Sequence, residues 1–167
     1  MNNLANTPSK VAFREKMELA QNTMMEWQAE GICDDVMDEC ILTHHFSPII
    51  EEFGCAVYGR QILIPKDTVI IGKIHRHSHL NVILKGKILV TTEFGQEYFE
   101  APHVFTSKVA TKRGVRAVED TLWLTIHLTT QDSEENMDEI ENEVIAPDYQ
   151  TLGLENVLDN LRLPEGE

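Results

Sequence analysis

Three histidines at alternate positions, His75, His77 and His79, are the residues of this 167-residue chain best placed to do chemistry. In an extended strand every second side chain points to one face. The spacing therefore predicts His75 and His77 on one side, joined by His79 if the strand runs that far. Imidazole nitrogens held a few ångströms apart suit a divalent transition metal such as Fe, Zn, Ni or Mn. Lys73 and Arg76, close by in sequence, are expected to favour the neutral rings, which are the metal-competent form. A further histidine, His127, alternates within Thr121 to Thr129. There Trp123, Thr125 and His127 share one face, while Leu122, Leu124, Ile126 and Leu128 share the other. The aliphatic face is expected in the core. The other face looks toward a pocket mouth, where His127 completes a site with His75 and His77, or toward solvent, where it is structural. His44 and His45 are adjacent and point opposite ways on a strand, so at most one of them reaches a site.

Other chemistries lack their signatures. There is no nucleophile elbow and no phosphate-binding glycine loop. The acids of Asp34, Asp35, Asp38 and Glu39 lack the calcium-loop register and its glycine. Cys33, Cys40 and Cys55 are odd in number and not in C-x-x-C spacing, which reads as free thiols in a reducing cytosol.

The elements that must position the histidines are short strands. Cys55 to Ile64, Val69 to His77, Leu80 to Leu84, Lys87 to Thr92, Glu97 to Glu100, a strand beginning at Ala101, Thr111 to Val118 and Thr121 to Thr129 alternate between turn residues. That spacing predicts a sandwich or small barrel. Before them, Lys10 to Glu30 reads as a helix with Phe13, Met17, Ala20, Met24 and Trp27 near a 3.6 period, stopped by Gly31. Ile32 to Ile41 is a second short helical candidate, and Leu42 to Pro48 leads into the strands. After them, Ser133 to Val144 places Met137, Ile140 and Val144 on one face of an acidic helix ended by Pro147. Leu152, Leu154, Val157, Leu158 and Leu161 form a last apolar set.

An H-x-H on a strand followed by an apolar strand closed by glycine resembles the first motif of the cupin superfamily. Gly72, His75, His77 and Gly86 match it. The motif's Glu is absent: His79 or Asn81 takes its place, depending on the end from which one counts. The second motif is similar to Lys108, Ala110 and Arg113, where Arg113 stands for a metal-ligating His. A guanidinium does not ligate, but it grips a carboxylate or phosphate bidentately. Residues 57–129, including Thr111-Lys112-Arg113 and Glu119 to His127, are also similar to small cupin-like proteins of tailed phages. The resemblance implies an all-β, cupin-type jelly-roll barrel with an N-terminal helical segment and an acidic helical tail. It implies a metal on His75, His77, His79 and His127, with Arg113, Tyr58, Trp123 and Asn81 around a small anionic ligand. Glu119, Asp120, a tail acid or that ligand is expected to meet the Arg113 charge.

The charge is uneven: residues 1–56 hold 10 acids and 3 bases, 57–129 hold 6 and 10, and 130–167 hold 12 and 1, for a net −14. Such acidity opposes phosphate backbones, so no nucleic-acid partner is expected. No apolar run approaches the roughly 18 residues of a membrane span, and no signal peptide is visible, so a cytoplasmic protein is expected, in the host cytoplasm if phage-encoded. The divisions read as a helical segment over 1–45, a barrel over 46–130 and an acidic tail over 131–167. A homodimer joined through the helix stripe or the last leucines is expected. Three functions stay open: a metal-binding cupin, with non-haem metal enzymes on a small anionic substrate as one form; a non-catalytic small-ligand module; and a phage accessory or assembly protein that uses the barrel as a scaffold.

Overall fold

The computed structural model describes residues 8–153. The first helix, α1, covers Pro8–Ala29, and Gly31 closes it in the left-handed conformation (φ 70°). A single 3-10 turn, Val36–Glu39, replaces the helix expected over Ile32 to Ile41, and the Asp35 side chain caps it. The strands follow: β1 Ile41–Phe46, β2 Ala56–Ile64, β3 Val69–Ile71, β4 Ile74–His75, β5 His79–Lys85, β6 Lys87–Thr92, β7 Gly95–Glu100, β8 His103–Ser107, β9 Gly114–Ala117 and β10 Thr121–Thr129. A 3-10 turn, Glu134–Asn136, leads into α2, Met137–Val144, and β11 is Ile145–Ala146.

Two antiparallel sheets result, ordered β1-β2-β10-β5-β8 and β3-β9-β6-β7, and β11 pairs with β4. Without the added edge strand β1 and the short β4–β11 pair, eight strands split four and four with crossovers between the sheets. This is the jelly-roll arrangement, which limits exposed edges by packing two sheets face to face. The main core lies between them: Ile62, Ile64, Ile83, Ile88, Val90, Phe99, Val115, Ala117 and Trp123. The β5–β6 turn needs glycine at Gly86. Its φ is 82°, and a Cβ there would meet the Asp120 carbonyl oxygen at 2.2 Å. Ala110, at the second-motif glycine position, is itself left-handed (φ 61°). Its N–H bonds the His75 carbonyl at 2.9 Å, which ties the approach to β9 onto β4.

Two expectations about the strands are also corrected. The strand expected over Val69 to His77 is broken: β3 stops at Ile71, β4 holds only Ile74 and His75, and Arg76 and His77 form a bend. The bend is held from outside the strand ladder. The Arg76 N–H bonds the Val144 carbonyl (2.8 Å), and Arg76 Nε donates to the Ile145 carbonyl (2.8 Å). The faces of β10 are also the reverse of those expected. Thr121, Trp123, Thr125, His127 and Thr129 are buried, while Leu122, Leu124 and Ile126 are half-buried and Leu128 is 67% exposed. Alternation separates two faces, but only the second sheet decides which one is covered.

α1 closes over the end of the barrel that carries the β6–β7 turn. Arg14 and Glu93 form a two-pronged ion pair (3.0 and 2.9 Å), with side chains only 8% and 2% exposed. Met17 packs against Gly114, and Lys112 bonds Gln21. α2 sets Ile140 and Val144 against Tyr58, with Phe46 and Met137 beside them. Leu152 packs on the Ile74, Ala110, Ala146 and Tyr149 cluster. Leu154, Val157, Leu158 and Leu161 lie outside the described residues. Among the described helices none is long and apolar enough to cross a membrane.

Candidate functional site

Registry brings three histidines together. β10 pairs with both β2 and β5, so inward residues of the three strands meet: His127 is opposite Tyr58, and Thr125 is opposite both Arg60 and Asn81. β4 adds His75 from the side. The candidate ligand atoms of His75, His79 and His127 all lie within 4.8 Å of one another. Their ring centroids are 4.2 Å (75–79), 4.5 Å (79–127) and 5.3 Å (75–127) apart. His77, expected beside His75, sits exposed on the bend and stands outside this group. The break after His75 costs the chain its H-x-H alternation, and the place beside His75 is taken by His79 and His127.

All three rings are held neutral. Burial comes first in each case and drives the pKa down: to about 2 for His75, about 3 for His127 and about 4 for His79. The neighbouring rings, Arg113 and Arg60 add to the effect at His75 and His127, and Arg113 does so at His79. Lys73 and Arg76, expected to supply that charge, are committed elsewhere. Lys73 pairs with Glu141, and Arg76 holds the end of α2.

Arg113 is 5% exposed. It donates through one terminal nitrogen to Asn81 Oδ1 (3.1 Å) and through the other to His79 Nε2 (3.2 Å). Its guanidinium lies 5.5 Å from the Trp123 ring centre. These contacts settle the His79 tautomer. A guanidinium only donates, so Nε2 carries the lone pair; the His77 carbonyl only accepts, so Nδ1 carries the proton that meets it at 3.3 Å. Asn81 is fully buried and ties the region together. Its Oδ1 also accepts from Trp123 Nε1 (3.2 Å), and its Nδ2 donates to Ser107 Oγ (2.9 Å). Trp123 is thereby a core residue with a satisfied indole. Tyr58 is buried between His44, whose Nδ1 lies 2.7 Å from its hydroxyl, and the stacked His127 ring (6.1 Å).

No carboxylate pairs with Arg113 among the described residues. Glu119 and Asp120, expected candidates, do not reach it, and Asp120 instead accepts from the Lys66 N–H at 2.9 Å. Burial lowers the Arg113 pKa to about 10, so it is charged at neutral pH. The side chain therefore carries a buried cation whose partners among the described residues are all neutral. Two buried polar atoms here are unsatisfied: His75 Nδ1 and the Thr111 hydroxyl. Next to Arg113 lies a cleft of about 230 Å³ between the β6–β7 hairpin and the end of β8.

Sequence reasoning missed Arg60, Ser107 and Thr111. Arg60 had a signal, since it shares β2's inward parity with Tyr58 and Ile62. Ser107 had none, because only the β5–β8 pairing carries it to Asn81, and Thr111 had only its nearness to Arg113 in sequence.

No family model matches the chain, and no curated protein matches it. Among solved structures it is similar to KdgF from a Halomonas species, at 15% identity over 57% of this chain and 81% of that one, TM-score 0.42. It is similar to a cupin superfamily protein from Desulfitobacterium hafniense, at 11% identity over 53% and 77%, TM-score 0.42. It is also similar to an RmlC-like cupin from Shewanella frigidimarina, at 15% identity over 57% and 97%, TM-score 0.40. The strand order above, not these alignments, establishes the jelly roll.

Proposed function

We propose that this end of the barrel binds one divalent transition metal through His75, His79 and His127 and sets it beside a small anion held by Arg113. The observation that carries the reading is the group of three neutral imidazoles, two buried and His75 half-buried, with ligand atoms within 4.8 Å of one another. The donor set fits such an ion, which binds neutral imidazole and tolerates three protein ligands with an open position. The unsatisfied His75 Nδ1 supports the fit. A metal bound there would act as a Lewis acid on an adjacent oxygen.

The protein's own groups set the conditions. Arg113 occupies the only lone pair of His79, so the guanidinium would have to leave that nitrogen for His79 to hold a metal there, and would then be free for an anion. Arg60 and Arg113 oppose a bare dication, and an anion arriving with the metal offsets that repulsion.

The test is metal content in protein made without an affinity tag. One ion per chain is expected, lost in His79→Ala and in His127→Ala and kept in His77→Ala. A metal-free wild type whose melting temperature ignores added Zn, Ni, Co and Mn overturns the metal reading. If small anions still stabilise that protein, it is a ligand-binding module. If neither does, the barrel is a scaffold of the phage accessory kind.

A further inference from the structure

We infer that the cleft between the β6–β7 hairpin and the end of β8 is a seat for a small carboxylate with an aromatic body, gripped by Arg113 and Thr111. The inference rests on the Arg113 half of the function proposed above and is independent of the metal. The cleft measures about 230 Å³, below the roughly 300–1,000 Å³ of sites for drug-sized molecules, and so suits a small one. Its inner end is polar and unsatisfied. Arg113 spends two of its donors on Asn81 and His79, and among the described residues its other three have no partner. Thr111 is 5% exposed, lines the cleft, and has a hydroxyl buried with no partner. Burying an unpaired cation and an unpaired hydroxyl is costly unless something negative accepts from both.

The rest of the cleft is mixed, with three phenylalanines beside Thr92, Gln96, Glu97 and Thr106. Phe99 and Phe105 stack at 4.2 Å and line it, and Phe94 lines the outer rim with the Lys108 ammonium 4.5 Å from its ring. A planar carboxylate matches the fork of one guanidinium. A ring behind it meets the phenylalanine faces. Lys108 at the rim adds attraction for an anion and offsets the Glu97 carboxylate that lines the same cleft, while the buried Arg113 sets the sign at the inner end.

The experiment titrates chelator-treated protein with benzoate and phenylacetate, followed by calorimetry. Kd values of about 1 mM or tighter are expected, with acetate at least about tenfold weaker and benzylamine not binding. Thr111→Val keeps shape and removes the orphan hydroxyl, so its melting temperature should hold or rise while benzoate affinity falls about tenfold. Lys108→Gln should weaken binding a few-fold with unchanged folding. No saturation by benzoate at about 10 mM, or a Thr111→Val protein that binds like wild type, overturns the inference. Because the protein is metal-free throughout, loss of the three-histidine reading leaves this result standing, and the reverse.

A separate observation concerns the outside of the five-stranded sheet. We further infer that this face joins two copies of the chain. Leu80, Leu84, Val104 and Leu128 stand 46%, 46%, 61% and 67% exposed on it. The outward residues of β2, β10 and β8 include no acid and no base, and Lys85 stands only at the end of β5. The chain as a whole carries a net charge of −14. Two such chains repel, and the uncharged face is where they approach at least cost; interface cores are likewise depleted of charge. Five strands about 4.8 Å apart and about 20 Å long give on the order of 500 Å² per chain, or about 1,000 Å² in the pair, the lower bound for a specific interface. Neither α1 nor α2 covers the face, since their contacts lie at the β6–β7 end and on Tyr58. Light scattering at tens of micromolar should give twice 19.0 kDa, and the Val104→Lys/Leu128→Lys double variant should give one chain mass with native circular dichroism. A single-chain mass for wild type overturns the inference, as does a double variant that still pairs through another surface.

Discussion

At the scale of single residues, Asn81 and Arg113 decide what this site is. Asn81, one of the two residues that count to the place of the resembled motif's carboxylate, is the acceptor for Arg113 and Trp123 and a donor to Ser107. Asn81→Leu strands three buried polar groups and should cost about 2–4 kcal/mol in urea unfolding, mostly the desolvation of the donors left behind. Asn81→Asp should fold and place a carboxylate against Arg113. It should therefore abolish benzoate binding, because the charge that would grip the ligand is then met internally. A change at Arg113 separates metal from anion. Arg113→Met removes both the donor on His79 Nε2 and a nearby positive charge. Co(II) affinity, read by the visible spectrum, should tighten about tenfold or more while benzoate binding is lost. Co(II) affinity that weakens instead would show that Arg113 supports the ligands rather than competing with the metal.

At the scale of elements, each strand's role follows from what covers its faces. β10 buries its Trp, Thr and His face against the second sheet and the histidine group, and leaves its Leu and Ile face outward. α1 is fixed to the barrel by polar anchors as well as by Met17. The pair between Arg14 and Glu93 is nearly dry and two-pronged. Removing one partner leaves the other charge buried, so Glu93→Ala should cost about 3–5 kcal/mol, or roughly 6–20 °C in melting temperature for a chain of this size. Limited proteolysis should then cut within 8–29 first, because that buried pair, beside the Lys10 ammonium over the Phe94 ring (4.7 Å), ties α1 to the β6–β7 turn. An unchanged cleavage pattern would mean that Met17 and the Lys112–Gln21 contact hold α1 without it.

At the scale of the whole molecule, three neutral buried histidines make stability depend on pH. Their folded pKa values, about 2, 3 and 4, lie below the ordinary value of 6.5. Below about pH 6.5 the unfolded chain binds protons that the folded chain refuses, so stability is full above that value and is lost as pH falls toward 4 and below. Each ring contributes at most about 1.4 kcal/mol per pH unit, or about 4 for three. In chelator-treated protein, urea melts between pH 7 and 5 should approach that slope, and His127→Asn should remove about a third of it. A flat profile would mean that these rings are protonated in the folded state.

Much of this was legible in local pattern. The bounds of β6 and β10, the start and glycine stop of α1, and the apolar stripe of α2 follow from periods of two and 3.6 and from turn residues, because those depend on neighbours in sequence. The all-β architecture followed from the spacing of the turns. Four things came only with tertiary structure. Alternation along β10 is symmetric between its faces, and packing of the second sheet chose which one to bury. The alternating His75 and His77 were parted by a bend whose bonds come from the end of α2, some 70 residues away in sequence. His127, which sequence could set beside His75 only as one of two alternatives, meets His79 through the pairing of β10 with β5 and His75 through the placement of β4 beside them. That no carboxylate among the described residues pairs with Arg113 follows from where Glu119 and Asp120 end up, which no local signal carries. Periodicity sets which residues travel together; the long-range pairing of strands and sheets decides what they meet.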